Sequence, residues 1–263
     1  AEDNAVNQRV AVRMLERLGY RADVAANGLE AVEALSRIPY AAVLMDVQMP
    51  EMDGYEATAE IRRREAALAW GGKYHNIPII AMTANAMQGD REKAIEAGMD
   101  DYLPKPVRQE ALTETLSRWV PEEPGRAERQ PEPGNGAAGL QDVPEPPLDE
   151  AVLAGLRELQ GEDEPDILEE LAGIFLADAP GRIEEIRASL ERGDAGGVER
   201  AAHTLKGGAG NMGATGMSRL ATGLQEAGRN EDLSNAPKLL RELEEELGRV
   251  RRALEEKTGG PRA

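Results

Sequence analysis

Residues 41–54 read AAVLMDVQMPEMDG, and the step from AAVLM into Asp46 decides the fold of the first half of the chain. Five apolar residues in a row suit a parallel strand buried on both faces, because a strand with one wet face would alternate. A second such run, IPIIAM, stands at 77–82. The segments around these runs have helical spacing. In Asn4–Leu18, Val6, Val10, Met14 and Leu18 recur every four residues. Further helices are expected at Gly28–Leu35, Tyr55–Ala67, Asn85–Ala97 (stopped by Gly98) and Val107–Val120. Short strands are expected at Arg21–Ala25 and Asp101–Leu103. Strands alternating with helices predict an α/β doubly wound parallel sheet with helices on both faces.

Ligand sites in open parallel sheets form at the carboxyl ends of the strands. Asp46 follows AAVLM directly, Thr83 and Ala84 follow IPIIAM, and Lys105 lies just past the last strand in YLPKP. Glu2 and Asp3 precede the first helix. Three carboxylates on one rim repel one another unless a cation balances them. A hard divalent cation with oxygen ligands suits Mg²⁺. With that ion, an ionised Asp46 is placed to act as a nucleophile toward phosphorus, while Lys105 and the Thr83 hydroxyl bind phosphoryl oxygens. Glu2 and Asp3 also admit a plainer reading, as cap residues of the first helix.

The stretches EDNAVNQ, VLMDVQMPEMDGYEA, AMTANAM and DDYLPKPV resemble, in order and spacing, a response-regulator receiver domain of flavodoxin-like fold over 1–120. The resemblance implies that Asp46 is the phosphoacceptor. It implies that Asp3 and Asp46 bind Mg²⁺ directly, Glu2 through water, and Gln48 through its backbone carbonyl. Lys105 and Thr83 would contact the phosphoryl group, Thr83 and Tyr102 would form a coupled switch, and the Lys105–Pro106 bond would be cis. Receivers begin with an apolar strand ahead of the acidic pair. This chain starts at Ala1, so a receiver with its first strand missing, cut from a longer protein, is expected. Weak folding or weak Mg²⁺ binding would follow from that loss.

The remaining composition narrows the function. The chain has 263 residues, and 49 Asp and Glu against 31 Lys and Arg give a net charge of -18. Such a surface repels nucleic acid and anionic membranes. There is no cysteine, so disulfides and thiolate chemistry are excluded. No apolar run reaches the ~20 residues of a membrane helix. A cytoplasmic location is expected, with the parent protein membrane-anchored or not. Residues 121–147 are rich in Pro, Gly and Glu and read as a linker. A flexible chain of that length spans about 25–30 Å.

After the linker every segment reads as helix: Leu148–Gln160, Asp166–Asp178, Pro180–Glu191, Gly196–Met212, Gly216–Ala227 and Leu233–Lys257. This predicts an all-α helical bundle over 148–257, with a disordered tail at 258–263. Within AAHTLKGGAGNMGA, Val198, Ala202, Leu205, Ala209 and Met212 form a core stripe. His203, Lys206, Gly207 and Gly210 fall on a neighbouring stripe, expected to be exposed and cleared by its glycines for an approaching partner. His75, in GGKYHN, reads as ordinary surface. HTLKG followed by small residues resembles a histidine-containing phosphotransfer (HPt) domain. There the histidine carries phosphate without kinase activity, and Gln225 is a candidate to orient the ring. Where that motif often has serine, this chain has Gly208.

Together these readings predict a two-component phosphorelay. A sensor histidine kinase, upstream in the same polypeptide or separate, phosphorylates Asp46. His203 exchanges the group with a receiver aspartate, its own or that of a downstream response regulator. The chain has no ATP-binding Gly-rich segment, so the expectation is phosphotransfer only. The alternative is an interaction module that docks through the same surfaces without phosphorylation. An aspartyl-phosphate phosphatase of another fold would want an acid two positions after the nucleophile, where Gln48 stands.

Overall fold

The computed structural model describes residues 1–67, 76–83, 88–120, 146–161 and 165–259. His75, Ala84, most of the expected linker and the last four residues lie outside them. The described residues form two compact units. One contains Ala1 with 25–145, and the other contains 2–24 with 146–263.

The first unit is built on a parallel sheet in the order β1 (Val43–Asp46), β2 (Ile79–Thr83), β3 (Asp101–Pro104). Met45 faces Ala81, and Ala81 faces Tyr102. Every residue of β2 is buried, as its continuous apolar sequence requires. Ala1 continues the pattern on the free side of β1: its amino group donates to the Leu44 carbonyl at 2.7 Å, and its carbonyl accepts from the Asp46 N–H at 2.9 Å. Helices α2 (Gly28–Arg37), α3 (Gly54–Ala66), α4 (Gln88–Glu96) and α5 (Gln109–Trp119) flank the sheet. Val32, Leu35, Met45, Ile61 and Ile79 anchor its main core. The strand expected at Arg21–Ala25 does not form. A strand needs a ladder partner, and none pairs with these residues among those described.

Two local devices fix the loop after β1. Asp53 caps α3 in a capping box with Glu56. Gly54 donates its N–H to the Val47 carbonyl, and a Cβ there would lie 2.1 Å from the Asp46 carbonyl oxygen. At the amino ends of the strands, Arg62 of α3 ties the segments that lead into β2 and β3. Its guanidinium donates to the Gly98 and Ile77 carbonyls, Glu65 and Asp100 at 2.7–2.9 Å.

The second unit is helical: α1 (Ala5–Arg17), α6 (Glu150–Glu158), α7 (Ile167–Glu191), α8 (Ala195–Asn211), α9 (Thr215–Arg229) and α10 (Ala236–Thr258). The two helices expected on either side of Ala179 are one. Pro180 sits inside α7, where proline forfeits a backbone hydrogen bond. Buried Phe175, Ala179, Ile183 and Ile186 continue the apolar face across it, and packing holds the helix together. Val198, Ala202, Leu205, Ala209 and Met212 are all buried, as the core stripe requires. Helix α1 packs against α7 and α8 within this unit. Arg9 forms a two-pronged pair with Glu170, at 2.7 and 3.0 Å.

Candidate functional site

At the carboxyl end of the sheet, Asp46 closes β1 with 1 % of its surface exposed. A buried carboxylate needs a counter-charge. Lys105 supplies it from just beyond β3, its Nζ 2.6 Å from Asp46 Oδ2. The Gln48 N–H donates to Oδ1 at 3.3 Å. The Lys105 backbone is itself fixed, since its N–H donates to the Thr83 carbonyl at 2.7 Å and the Lys105–Pro106 bond is cis. Thr83 is buried at the end of β2. Tyr102, on the neighbouring β3, is half-buried and packs against the apolar core. Sequence reasoning placed Asp46, Thr83 and Lys105 at or just past adjacent strand ends, and the structure brings them there; Tyr102 lies within β3, opposite Ala81.

In the second unit Asn4 caps α1, accepting from the Asn7 N–H, so the plainer reading of Glu2 and Asp3 as caps is not realised. Glu2 is buried and accepts from the Asn7 amide at 2.7 Å. Asp3 accepts from the Thr204 hydroxyl at 2.9 Å, next to His203.

His203 corrects an expectation: it is 7 % exposed, not displayed on an open face. Small residues let α8 and α9 pack closely, and Gln225 reaches across, its amide nitrogen 3.0 Å from His203 Nδ1. The same amide's oxygen accepts from Lys206 Nζ at 3.5 Å. Lys206 is half-buried, and that burial pushes its ammonium below the usual lysine range; Arg229 adds to the effect and Glu226 opposes it. The glycines do give clearance, but to α1. A Cβ on Gly207 would lie 2.7 Å from the Asn7 amide, and one on Gly208 would lie 3.0 Å from that of Asn4. Asn4 also donates to the Thr204 carbonyl, and Asn211 donates to Asn7. These asparagines were not singled out from sequence; their spacing of three on one helix face was the available signal.

The chain thus holds a buried carboxylate against an ammonium at the end of a parallel sheet, and a histidine held by an amide in a helical bundle. Residues 1–117 match the family model of the response regulator receiver domain, and residues 170–253 match that of the Hpt domain. The chain therefore belongs to these two families in succession, the pair of carriers used in two-component phosphorelays. Sensor histidine kinase GacS of Pseudomonas protegens is 30 % identical over 254 residues, which is 95 % of this chain and 26 % of that protein. The hybrid signal transduction protein dokA of Dictyostelium discoideum is 47 % identical over 46 % of this chain and 7 % of its own length. The chain thus spans only a small part of these relatives. Among solved structures, the receiver domain of a sensor histidine kinase from Pseudomonas aeruginosa, described with a magnesium ion in its active-site cleft, is similar. It is 48 % identical over 46 % of this chain and 94 % of its own, with a TM-score of 0.41. Among the described residues no helix is long and apolar enough to cross a membrane.

Proposed function

We propose that this chain passes a phosphoryl group between Asp46 and His203. The observation that carries the reading is the buried Asp46–Lys105 pair at 2.6 Å. An Asp46 oxygen attacks the phosphorus of a donor phosphohistidine, the P–O bond forms, the N–P bond breaks, and the departing imidazole takes up a proton. Lys105 and Thr83 then face the new phosphoryl oxygens, and Thr83 with Tyr102 reports the change. In the second step a ring nitrogen of His203 attacks the aspartyl phosphate, the N–P bond forms as the O–P bond breaks, the Asp46 carboxylate is regenerated, and the ring releases the proton on its other nitrogen. Lys206, Gly207 and Gln225 form the surroundings of the phosphohistidine.

Mg²⁺ fits the donor set. Asp46, Asp3 and Glu2 offer only hard oxygen ligands. These residues with the Gln48 carbonyl would hold the ion, and when bound it would offset phosphoryl charge. The donor is a sensor histidine kinase and the final acceptor a downstream receiver, with the exchange in the cytoplasm.

Incubation with a radiolabelled small-molecule phosphodonor and Mg²⁺ at neutral pH tests the first step. Label should appear on the wild type and vanish in Asp46→Asn. No label on the wild type would instead favour a docking module that is never phosphorylated.

A further inference from the structure

The three side chains around His203 form a chain of hydrogen bonds with a direction. An ammonium has three donors and no acceptor, so the Gln225 amide must turn its oxygen toward Lys206. Its NH₂ end then faces His203 Nδ1 at 3.0 Å, and Nδ1 must accept. A neutral imidazole carries one N–H, which in this arrangement sits on Nε2. A protonated Nε2 has no lone pair with which to attack phosphorus.

We propose that Lys206 and Gln225 act as a tautomer latch on His203, a positioning role that rests on His203 being the phosphocarrier. While Lys206 holds the amide oxygen, the neutral ring rests in its unreactive Nε2–H form. When Lys206 turns toward an incoming phosphoryl group, the amide is released and rotates by half a turn. Its oxygen now accepts from Nδ1–H. Nε2 gives its proton to water and Nδ1 takes one from water, so the ring stays neutral and Nε2 gains the lone pair. Attack by Nε2 leaves a phosphorylated ring that still carries Nδ1–H; that proton passes to water, and the lone pair it frees on Nδ1 suits the resting amide orientation. The latch therefore favours the nucleophile only when phosphoryl charge is present, and supports the product once formed. Half-burial of Lys206 reinforces this, since an ammonium short of water gains more from the amide oxygen.

The tautomer is read directly in the unphosphorylated full chain, ¹⁵N-labelled, by two-bond proton–nitrogen correlation above the titration of the ring. The chain has two histidines, so the signals lost in His203→Gln identify His203. The wild type should show mainly Nε2–H. Lys206→Met should raise the Nδ1–H to Nε2–H ratio by about 3–10-fold, the equivalent of one net hydrogen bond. Gln225→Glu, whose carboxylate only accepts, should make Nδ1–H dominant. A wild type already dominated by Nδ1–H, or an unchanged ratio in Lys206→Met, would overturn the latch. The measurement involves no phosphate, so failure of His203 to take label would sink the relay and leave this readout standing.

Discussion

At the scale of single residues, the site depends on close approaches that only certain side chains permit. Gly54 is the sharpest case, because a Cβ would lie 2.1 Å from the Asp46 carbonyl oxygen. Gly54→Ala should cost about 1–3 kcal/mol, as overpacking does, and slow labelling by displacing Asp46. Denaturant melts with labelling rates check both, and an unchanged pair of values would refute the packing argument. Lys206 gives a pH signature. Its folded-state pKa lies below the ordinary 10.5, so between that lowered value and 10.5 the unfolded chain holds a proton that the folded chain has released. Stability contributed by this residue therefore rises with pH across that window, while below it the penalty is constant. Lys206→Met should flatten that rise in alkaline urea titrations; parallel curves for the two proteins would contradict it. Asp46, Thr83 and Lys105 were legible in sequence because strand ends are one-dimensional landmarks. The burial of His203 was not, because helical spacing names a face but not what covers it.

At the scale of elements, the helical unit is set by where backbones touch. A Cβ on Gly228 would lie 2.6 Å from both the Ala195 oxygen and the Glu199 nitrogen, where α9 crosses the start of α8. Gly173, in α7, has nothing within 4 Å. Gly228→Ala should therefore destabilise by about 1–3 kcal/mol. Gly173→Ala should stabilise by about 0.5–1 kcal/mol through helix propensity. Thermal melts of the two variants should move in opposite directions, and movement in the same direction would refute the assignment. Element type was legible wherever a period ran long, as in α1, α8 and α10. Two readings failed for physical reasons. Pro180 signalled a break that the buried face of α7 overrides, and residues 21–25 pair with no strand among the described residues.

At the scale of the whole molecule, the net charge of -18 opposes compaction. Raising ionic strength from about 0.01 to about 0.15 M shortens the screening length from about 30 to about 8 Å. The melting temperature should rise over that range. A fall would mean that local pairs such as Arg9–Glu170 outweigh the overall repulsion. The order of the two domain types could be read from four motifs and one histidine segment, whereas the grouping of 2–24 with the helical unit could not, since it depends on contacts between residues some two hundred positions apart, such as Asn4 with Thr204. The central claim is that phosphate reaches His203 through Asp46. Labelling the wild type, Asp46→Asn and His203→Gln proteins from the same small-molecule phosphodonor at neutral pH tests it most directly. The account predicts that His203→Gln still labels on Asp46, and that Asp46→Asn labels on neither residue. Equal labelling of His203 in the wild type and in Asp46→Asn would contradict it.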